Sequence, residues 1–328
     1  MRDPIKPSPS PEDFLRSSFD YIIVGGGTAG LAVAARLAED ASLTVGVLEA
    51  GGVAQGDENV DIPAFYGRSL GGQFDWAFET QPQEGLAGRV LPWPRGKVLG
   101  GTSALNFMTW VRGNREDYDD WEALGNKGWA WDKVLPFFKK TETFHRPSQA
   151  LRDEYIATHE ADAFGTSGPI QISYAPDYSP SHKLWHDTLN RVGVKTNSAH
   201  LTGSNVGVWT NVNTVDPRTA MRSYSTSYLT AARPINLHVL TEATVHEIIL
   251  TKDEARGDHV ATGVRFGHGG KDHVVSVKKE VVLSAGTVKS PQILEMSGIG
   301  NPKVLQSAGI PIKVASPMVG ENLQDHIS

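Results

Sequence analysis

The chain has 328 residues, 39% of them hydrophobic, which is enough for about two domains with sizeable cores. Its formal net charge of −6 argues against a nucleic-acid or anionic-membrane partner, because phosphate binding needs a concentrated basic surface. The absence of cysteine excludes disulfides, thiolate metal sites and a cysteine nucleophile, and fits an intracellular location.

Residues 1–18 are rich in proline and serine and lack the apolar segment of a secretory signal, so they read as a flexible leader. No later run reaches the ~18 apolar residues of a membrane helix. From Asp20 to Gly52 the pattern tightens. Tyr21–Val24 is a short apolar run bounded by glycines and predicts a buried strand. Gly25, Gly27 and Gly30 then form G-x-G-x-x-G, the small-residue helical pattern Leu31, Ala32, Ala35, Leu37, Ala38 follows, and Thr44–Leu48 predicts a second strand ending at Glu49. Strand, glycine turn, helix, strand and acid in that order predict a dinucleotide-binding βαβ unit. Gly25 permits the tight turn, Gly27 lets backbone approach a pyrophosphate, and Gly30 lets helix and strand pack closely. Unpaired amides at Thr28 and Ala29 face the phosphates, and Glu49 is placed to accept from ribose hydroxyls. The unit by itself leaves FAD and NAD open.

A long polar, glycine-rich passage to about Gly88, punctuated by Phe65, Tyr66, Phe74, Trp76 and Phe78, reads as an excursion that covers rather than builds the core. In Arg95–Arg115, Gly100 and Gly101 remove side chains where backbone approaches a ligand, and Thr102, Ser103 and Asn106 offer polar partners. The alternative is a glycine turn with Thr102 or Ser103 as N-cap of a helix. Lys127–Phe144 predicts a helical segment interrupted by Pro136, and the polar run from Arg146 to Gly168 predicts a boundary. Gly168–Ile172 starts a strand. His182 and His186 have the i, i+4 spacing of metal ligands, but without a third ligand they read as a surface pair. Arg222–Leu229 predicts a helix start, Asn236–Leu250 two strands divided at Thr241–Ala243, and Val260–Phe266 with Val274–Val277 a hairpin turning at His268–Gly270. Glu280–Leu283 predicts a separate strand, followed by a helix capped by Ser290 with Pro291 at its first position.

GGGTAG with LEAGG, then RGKVLGGTSALNFMTWVRGNREDYDDWEALGNKGW, SAGTVKSPQILEMSGIG and VGENLQDH occur in the order found in the glucose-methanol-choline (GMC) oxidoreductases. The chain resembles that family from the end of the leader onward, and VRGNREDYDDWEALGNKGW is similar to its choline-dehydrogenase and aryl-alcohol-oxidase branch. The resemblance implies an α/β fold: a Rossmann-like FAD-binding domain with part of an α+β substrate-binding domain. It divides the chain into residues 1–18, 19–145 (FAD-binding, first part), 146–220 (partial substrate-binding domain) and 221–328 (FAD-binding, second part).

The implied activity is oxidation of the CH–OH group of a small-molecule alcohol, with hydride transfer to flavin N5. The implied cofactor contacts are Gly25, Gly27, Thr28, Ala29, Gly30, Glu49, Ala50, Gly100, Gly101, Thr102, Ser103, Asn106, Phe107, Met108, Thr109, Val245, Ala285 and Gly286. Val245 does so through its backbone beside the adenine. Family members with a histidyl-flavin bond carry histidine where this chain has Leu105, so FAD is expected to be noncovalent, and no metal is expected. The family continues past the Val319–His326 landmark into a portion holding the His-His or His-Asn pair that handles the alcohol proton. This stretch therefore reads as an N-terminal half with no assignable catalytic residue, inactive alone, and His326 as a structural landmark. The same scaffold carries hydroxynitrile lyases and cyclising enzymes, so a non-redox function and a truncated, inactive nucleotide-binding product are the alternatives. A simple nicotinamide dehydrogenase would have no reason to carry the later motifs.

Overall fold

In the computed structural model, which describes residues 4–160, 162–232, 234–255 and 257–325, six strands build the principal sheet. They are β1 (Phe19–Val24), β2 (Val45–Leu48), β3 (Leu237–Leu240), β4 (Thr244–Lys252), β5 (His259–His268) and β6 (Lys271–Leu283). Their order is β3-β2-β1-β6-β5-β4, with β3, β2, β1 and β6 mutually parallel and β6, β5 and β4 antiparallel. Helices α1 (Thr28–Leu37) and α2 (Gly286–Met296) belong to the same unit. That unit comprises the chain up to Asp57, Gly67–Leu105 and the chain from Tyr228. A second, inserted unit comprises Glu58–Tyr66 and Asn106–Ser227.

The parallel part of the sheet is covered on both faces, as its continuous apolar strands require. Consecutive side chains of β1 alternate between two cores. Ile22 joins Phe14, Phe19, Leu48, Phe266 and Ile293, whereas Ile23 joins Leu31, Ala34, Val45, Val47 and Leu99. Helix α1 turns Gly30, Leu31, Ala34 and Ala35 inward, the i, i+3, i+4 stripe that its small residues predict.

Several local expectations change. The segment Val274–Val277 and the segment Glu280–Leu283 are one 13-residue strand, β6. Its first half pairs antiparallel with β5, up to Ser276 opposite Gly263, and its second half pairs parallel with β1 from Val277 opposite Phe19. The backbone stays extended while the partner changes, and a one-dimensional pattern does not record a change of partner. Helix α2 starts at Gly286, with Ala285 as N-cap, so Ser290 is not the cap and Pro291 lies inside the helix. At this sixth position proline removes the N–H that would bond the Thr287 carbonyl and crowds that oxygen, so the helix carries an interior proline rather than starting with one. The stretch read as a flexible leader is packed from Pro4 to Ser18: Ser10 Oγ accepts from the Asp13 amide at 3.1 Å to cap the helix Pro11–Leu15, Ser8 N–H donates to Val239 O at 2.7 Å, and fully buried Phe14 stacks on Phe19 at 4.6 Å.

The inserted unit holds a four-stranded sheet in the order Thr109–Trp110, Val212–Asn213, Ile170–Ser173, Glu142–His145. The expected helical segment Lys127–Phe144 is a helix over Trp131–Thr141, with Pro136 inside it, running directly into the Glu142–His145 strand. A buried ion pair joins Arg112 Nη2 to Glu142 Oε1 at 2.5 Å. Arg112 also donates to Ala163 O and Leu201 O, and Glu142 accepts from Trp110 Nε1 and Gly165 N. His182 and His186 are not a surface pair: on the helix Pro180–Arg191, His186 is fully buried, and both Nε2 atoms meet Thr210 Oγ1, at 2.8 and 3.3 Å. Among the described residues no group of His, Cys, Asp or Glu is placed to hold a metal ion, and no helix is long and apolar enough to cross a membrane.

Candidate dinucleotide cleft

Strand β1 ends at Val24, and the chain leaves it through Gly25 at φ +98°, a conformation that favours glycine. A Cβ on Gly30 would lie 1.9 Å from the Gly25 carbonyl oxygen, so the first turn of α1 packs directly on the glycine turn. Gly27 differs. A Cβ there would meet only Gly101 Cα, at 3.6 Å, and would otherwise project into open space. That space is a cleft of about 560 Å³.

The Gly100–Gly101 loop lies against the same turn. Gly100 N–H donates to Gly26 O at 2.8 Å, and a Cβ on Gly101 would stand 2.7 Å from Gly27 Cα. Two glycine-rich stretches seventy-odd positions apart thus touch backbone to backbone beside the cleft. The short helix Gly101–Ala104 is not capped by Thr102 or Ser103: its N-cap is Gly100, Ser103 Oγ donates back to Gly100 O at 2.6 Å, and Thr102 Oγ1 accepts from Gly96 N–H at 3.1 Å.

Glu49, at the end of β2, is 5% exposed and still lines the cleft. Its Oε2 accepts from Gly26 N–H at 2.8 Å and its Oε1 from Gly51 N–H at 2.9 Å. Burial pushes this carboxyl up to about 7, against the opposing pull of the backbone donors at Gly51, Gly26 and Ala50. Each oxygen retains acceptor capacity for a hydroxyl. The Ala243 amide donates to Glu49 O and the Glu242 amide to Gly51 O, which straps the β3–β4 turn to this corner and brings Val245 into the cleft wall.

Of the residues singled out from sequence, Gly25, Gly27, Thr28, Ala29, Glu49, Ala50, Gly101, Thr102, Val245, Ala285 and Gly286 line this one cleft. Gly30, Gly100 and Ser103 stand behind its wall in the roles just described. Asn106, Phe107, Met108 and Thr109 belong to the inserted unit. There Asn106 accepts from Arg222 Nη1 at 3.0 Å, Phe107 packs edge-on against Tyr66, and Met108, at φ +63°, accepts from Thr214 N–H.

Sequence reasoning missed Trp76, Phe78, Arg95, Thr244, Ser284 and Lys289, all of which line the cleft. Trp76 and Phe78 were visible as alternate aromatics, and their short pairing, Phe78–Glu79 with Pro92–Trp93, could have been suspected from that alternation. Lys289 was hidden by the misplaced start of α2. Because the helix begins at Gly286, its first turn reaches the cleft.

Residues 19–328 match the family described as GMC oxidoreductase. Dehydrogenase citC of Monascus ruber is 42% identical over 321 residues, covering 96% of this chain and 51% of that protein. Among solved structures, an FAD-dependent oxidoreductase from Chaetomium thermophilum superposes with a TM-score of 0.88 at 36% identity, over 94% of this chain and 52% of its own. A fungal aryl-alcohol oxidase superposes with a TM-score of 0.85 at 31% identity, over 95% and 52%. The chain therefore spans about half the length of the curated relatives it matches.

Proposed function

Because this chain belongs to the GMC oxidoreductases, a family of FAD-dependent enzymes, we propose that its cleft holds the FAD of an oxidoreductase acting on the CH–OH group of a small alcohol. The carrying observation is the meeting of the Gly25–Gly30 turn, the Gly100–Gly101 loop and the buried Glu49 carboxylate in one cleft. The space beside Gly27, which a larger side chain would fill, fits a pyrophosphate.

In this reading the amides of Thr28 and Ala29, at the start of α1, face the phosphates. Glu49 accepts from ribose hydroxyls with the acceptor sites that Gly26 and Gly51 leave unused. The backbone of Val245 pairs with the adenine, and Ala285 and Gly286 close the floor with no side chain larger than a methyl group to obstruct it. FAD, when bound, supplies the acceptor for the substrate hydride. The residues of this chain bind it, orient it and keep water from its phosphate end.

FAD is held noncovalently. Leu105 occupies the place of a linking histidine, it is 2% exposed, and an alkyl side chain forms no such bond.

The test has two parts. Titration with FAD reads binding through quenching of flavin fluorescence, and no quenching refutes the cofactor reading. Anaerobic mixing of the flavin-loaded protein with primary alcohols then reads the substrate class. Bleaching of the oxidised-flavin band supports alcohol oxidation, whereas tight FAD binding without bleaching by any alcohol, in a protein extended to the length of its relatives, favours a non-redox member of the fold. The 328-residue chain alone is expected to bind FAD weakly and turn over no alcohol.

A further inference from the structure

Two ammonium groups converge on one indole ring at the cleft. Lys97 Nζ lies 4.8 Å from the ring centroid of Trp76, and Lys289 Nζ lies 4.5 Å from it. Phe78 stacks parallel to Trp76 at 5.8 Å and is itself 5.5 Å from Lys289 Nζ. The ring is held firmly. Asp75, 7% exposed, accepts from the amides of Gly71, Ala77 and Arg95, and the Trp76 and Lys97 amides donate to Arg95 O and Phe74 O.

Neither lysine is neutralised. Among the described residues neither ammonium lies within ion-pair distance of a carboxylate, and the one hydrogen bond of Lys289 goes to the neutral Gln292 Oε1, at 2.9 Å. Asp75 is committed to backbone amides, and Glu49 is the one acidic residue among those lining the cleft. The arrangement works against itself in the free protein: burial, and then the charge of Lys97, lower the Lys289 pKa. Helices α1 and α2, whose N-termini carry partial positive charge, have no acidic residue in their first turns.

An aromatic face attracts an ammonium without discharging it. A lysine has three N–H donors, and here one goes to Gln292, so donors remain for a ligand. A carboxylate partner would have cancelled the charge, whereas the indole places it and leaves it available. Gathered positive charge with no counter-charge, at the edge of a cleft that already presents helix N-termini, is the complement of an anion.

We infer that Lys289 and Lys97, positioned by Trp76, form a clamp for a phosphate group of the nucleotide bound in the cleft, with Lys289 as the contact and Lys97 reinforcing its field. The inference rests on the dinucleotide reading of the cleft and adds to it a side-chain phosphate contact that the glycine-turn motif does not contain.

The test compares ADP with adenosine, by calorimetry, on the wild-type chain and on Lys289→Gln, Lys97→Gln and Lys289→Arg, at 50 and 200 mM salt. A lost charge-assisted bond weakens binding by about tenfold or more. The expected result is that loss for ADP in Lys289→Gln, a smaller loss in Lys97→Gln, retention in Lys289→Arg, and adenosine affinity within about twofold throughout. Wild-type ADP affinity should also fall with salt more steeply than that of Lys289→Gln. Equal ADP affinity in wild type and Lys289→Gln overturns the clamp and leaves the dinucleotide reading standing. Parallel losses for ADP and adenosine overturn it too, since Lys289 would then only shape the cleft. If the wild-type chain binds neither ADP nor FAD, both fall together. Should Lys289→Gln fail to fold, Lys289→Arg and the wild-type salt dependence decide, and an ADP affinity indifferent to salt overturns the clamp.

Discussion

Gly26 and Glu49 are joined by a 2.8 Å hydrogen bond in which the Gly26 amide donates to Oε2 of the carboxylate, while Gly51 donates to Oε1 at 2.9 Å. One buried side chain thus locks the glycine turn after β1 to the chain leaving β2. Glu49 is therefore structural as well as cleft-facing, and its replacement should be felt before any cofactor is added. Glu49→Ala leaves two buried amide donors unpaired, at about 1–3 kcal/mol each. The melting temperature of the apoprotein should fall, and FAD retention after dialysis should fall with it. An unchanged melting temperature would contradict the double role.

The same burial makes stability depend on pH in a direction unusual for a carboxyl. Glu49 titrates near 7 in the folded protein against an ordinary 4.5, so between these values the folded state binds more protons than the unfolded state. Stability contributed by the protonated form is complete below about 4.5 and is lost as pH rises through about 7, a change of about 3 kcal/mol. Glu49→Gln should remove this slope. A ligand hydroxyl donating to the carboxylate favours its charged form, so FAD binding near pH 6 should release protons. Calorimetry in two buffers of different ionisation enthalpy reads that release directly.

Gly27 and Gly30 should fail differently. Gly30→Ala places a Cβ 1.9 Å from Gly25 O, a clash between backbone elements that nothing can relieve, and the product should be insoluble or unfolded. Gly27→Val directs its side chain into the cleft from a backbone at φ −87°, which other residues adopt. Its circular dichroism should stay near wild type while FAD binding is lost. Normal flavin affinity in Gly27→Val would contradict the placement of the pyrophosphate.

Acid precipitation of the flavin-loaded protein should leave all yellow colour in the supernatant. Colour retained in the pellet would show a covalent link that Leu105 cannot make.

The inserted unit should depend on its buried ion pair. Burial pushes the Glu142 carboxyl up while Arg112 opposes the rise, and Nη1 of the arginine donates to two carbonyls, whereas its buried Nε has no hydrogen-bond partner among the described residues. Arg112→Ala strands the carboxylate and should cost about 3–5 kcal/mol. A melting temperature within a degree or two of wild type would argue against that cost.

The βαβ unit was legible because every signal in it is local: an apolar run, three glycines at fixed spacing, a small-residue helix and an acid at a strand end all fall within Asp20–Gly52. The β5–β6 hairpin was legible for the same reason, its turn at His268–Gly270 being written in the residues that form it. The packed segment before β1 was missed although Ser10-Pro11-Glu12-Asp13 is a helix-start signature. Its proline and serine content describes the exposed residues and conceals that Phe14 is core.

What the sequence by itself determined is the set of local conformations and, through four motifs in order, the family. What only the tertiary structure decided is which distant residues share a site. That Gly101 touches Gly27, that the β3–β4 turn is strapped to Glu49, that β6 exchanges β5 for β1 at Val277, and that Lys97 and Lys289 meet at Trp76 are all long-range facts. Backbone geometry and side-chain period are set by neighbours along the chain, and a linear pattern carries them. Contacts between segments depend on how the sheet orders its strands and where each helix begins, and a shift of five residues in the start of α2 was enough to hide a lysine from view.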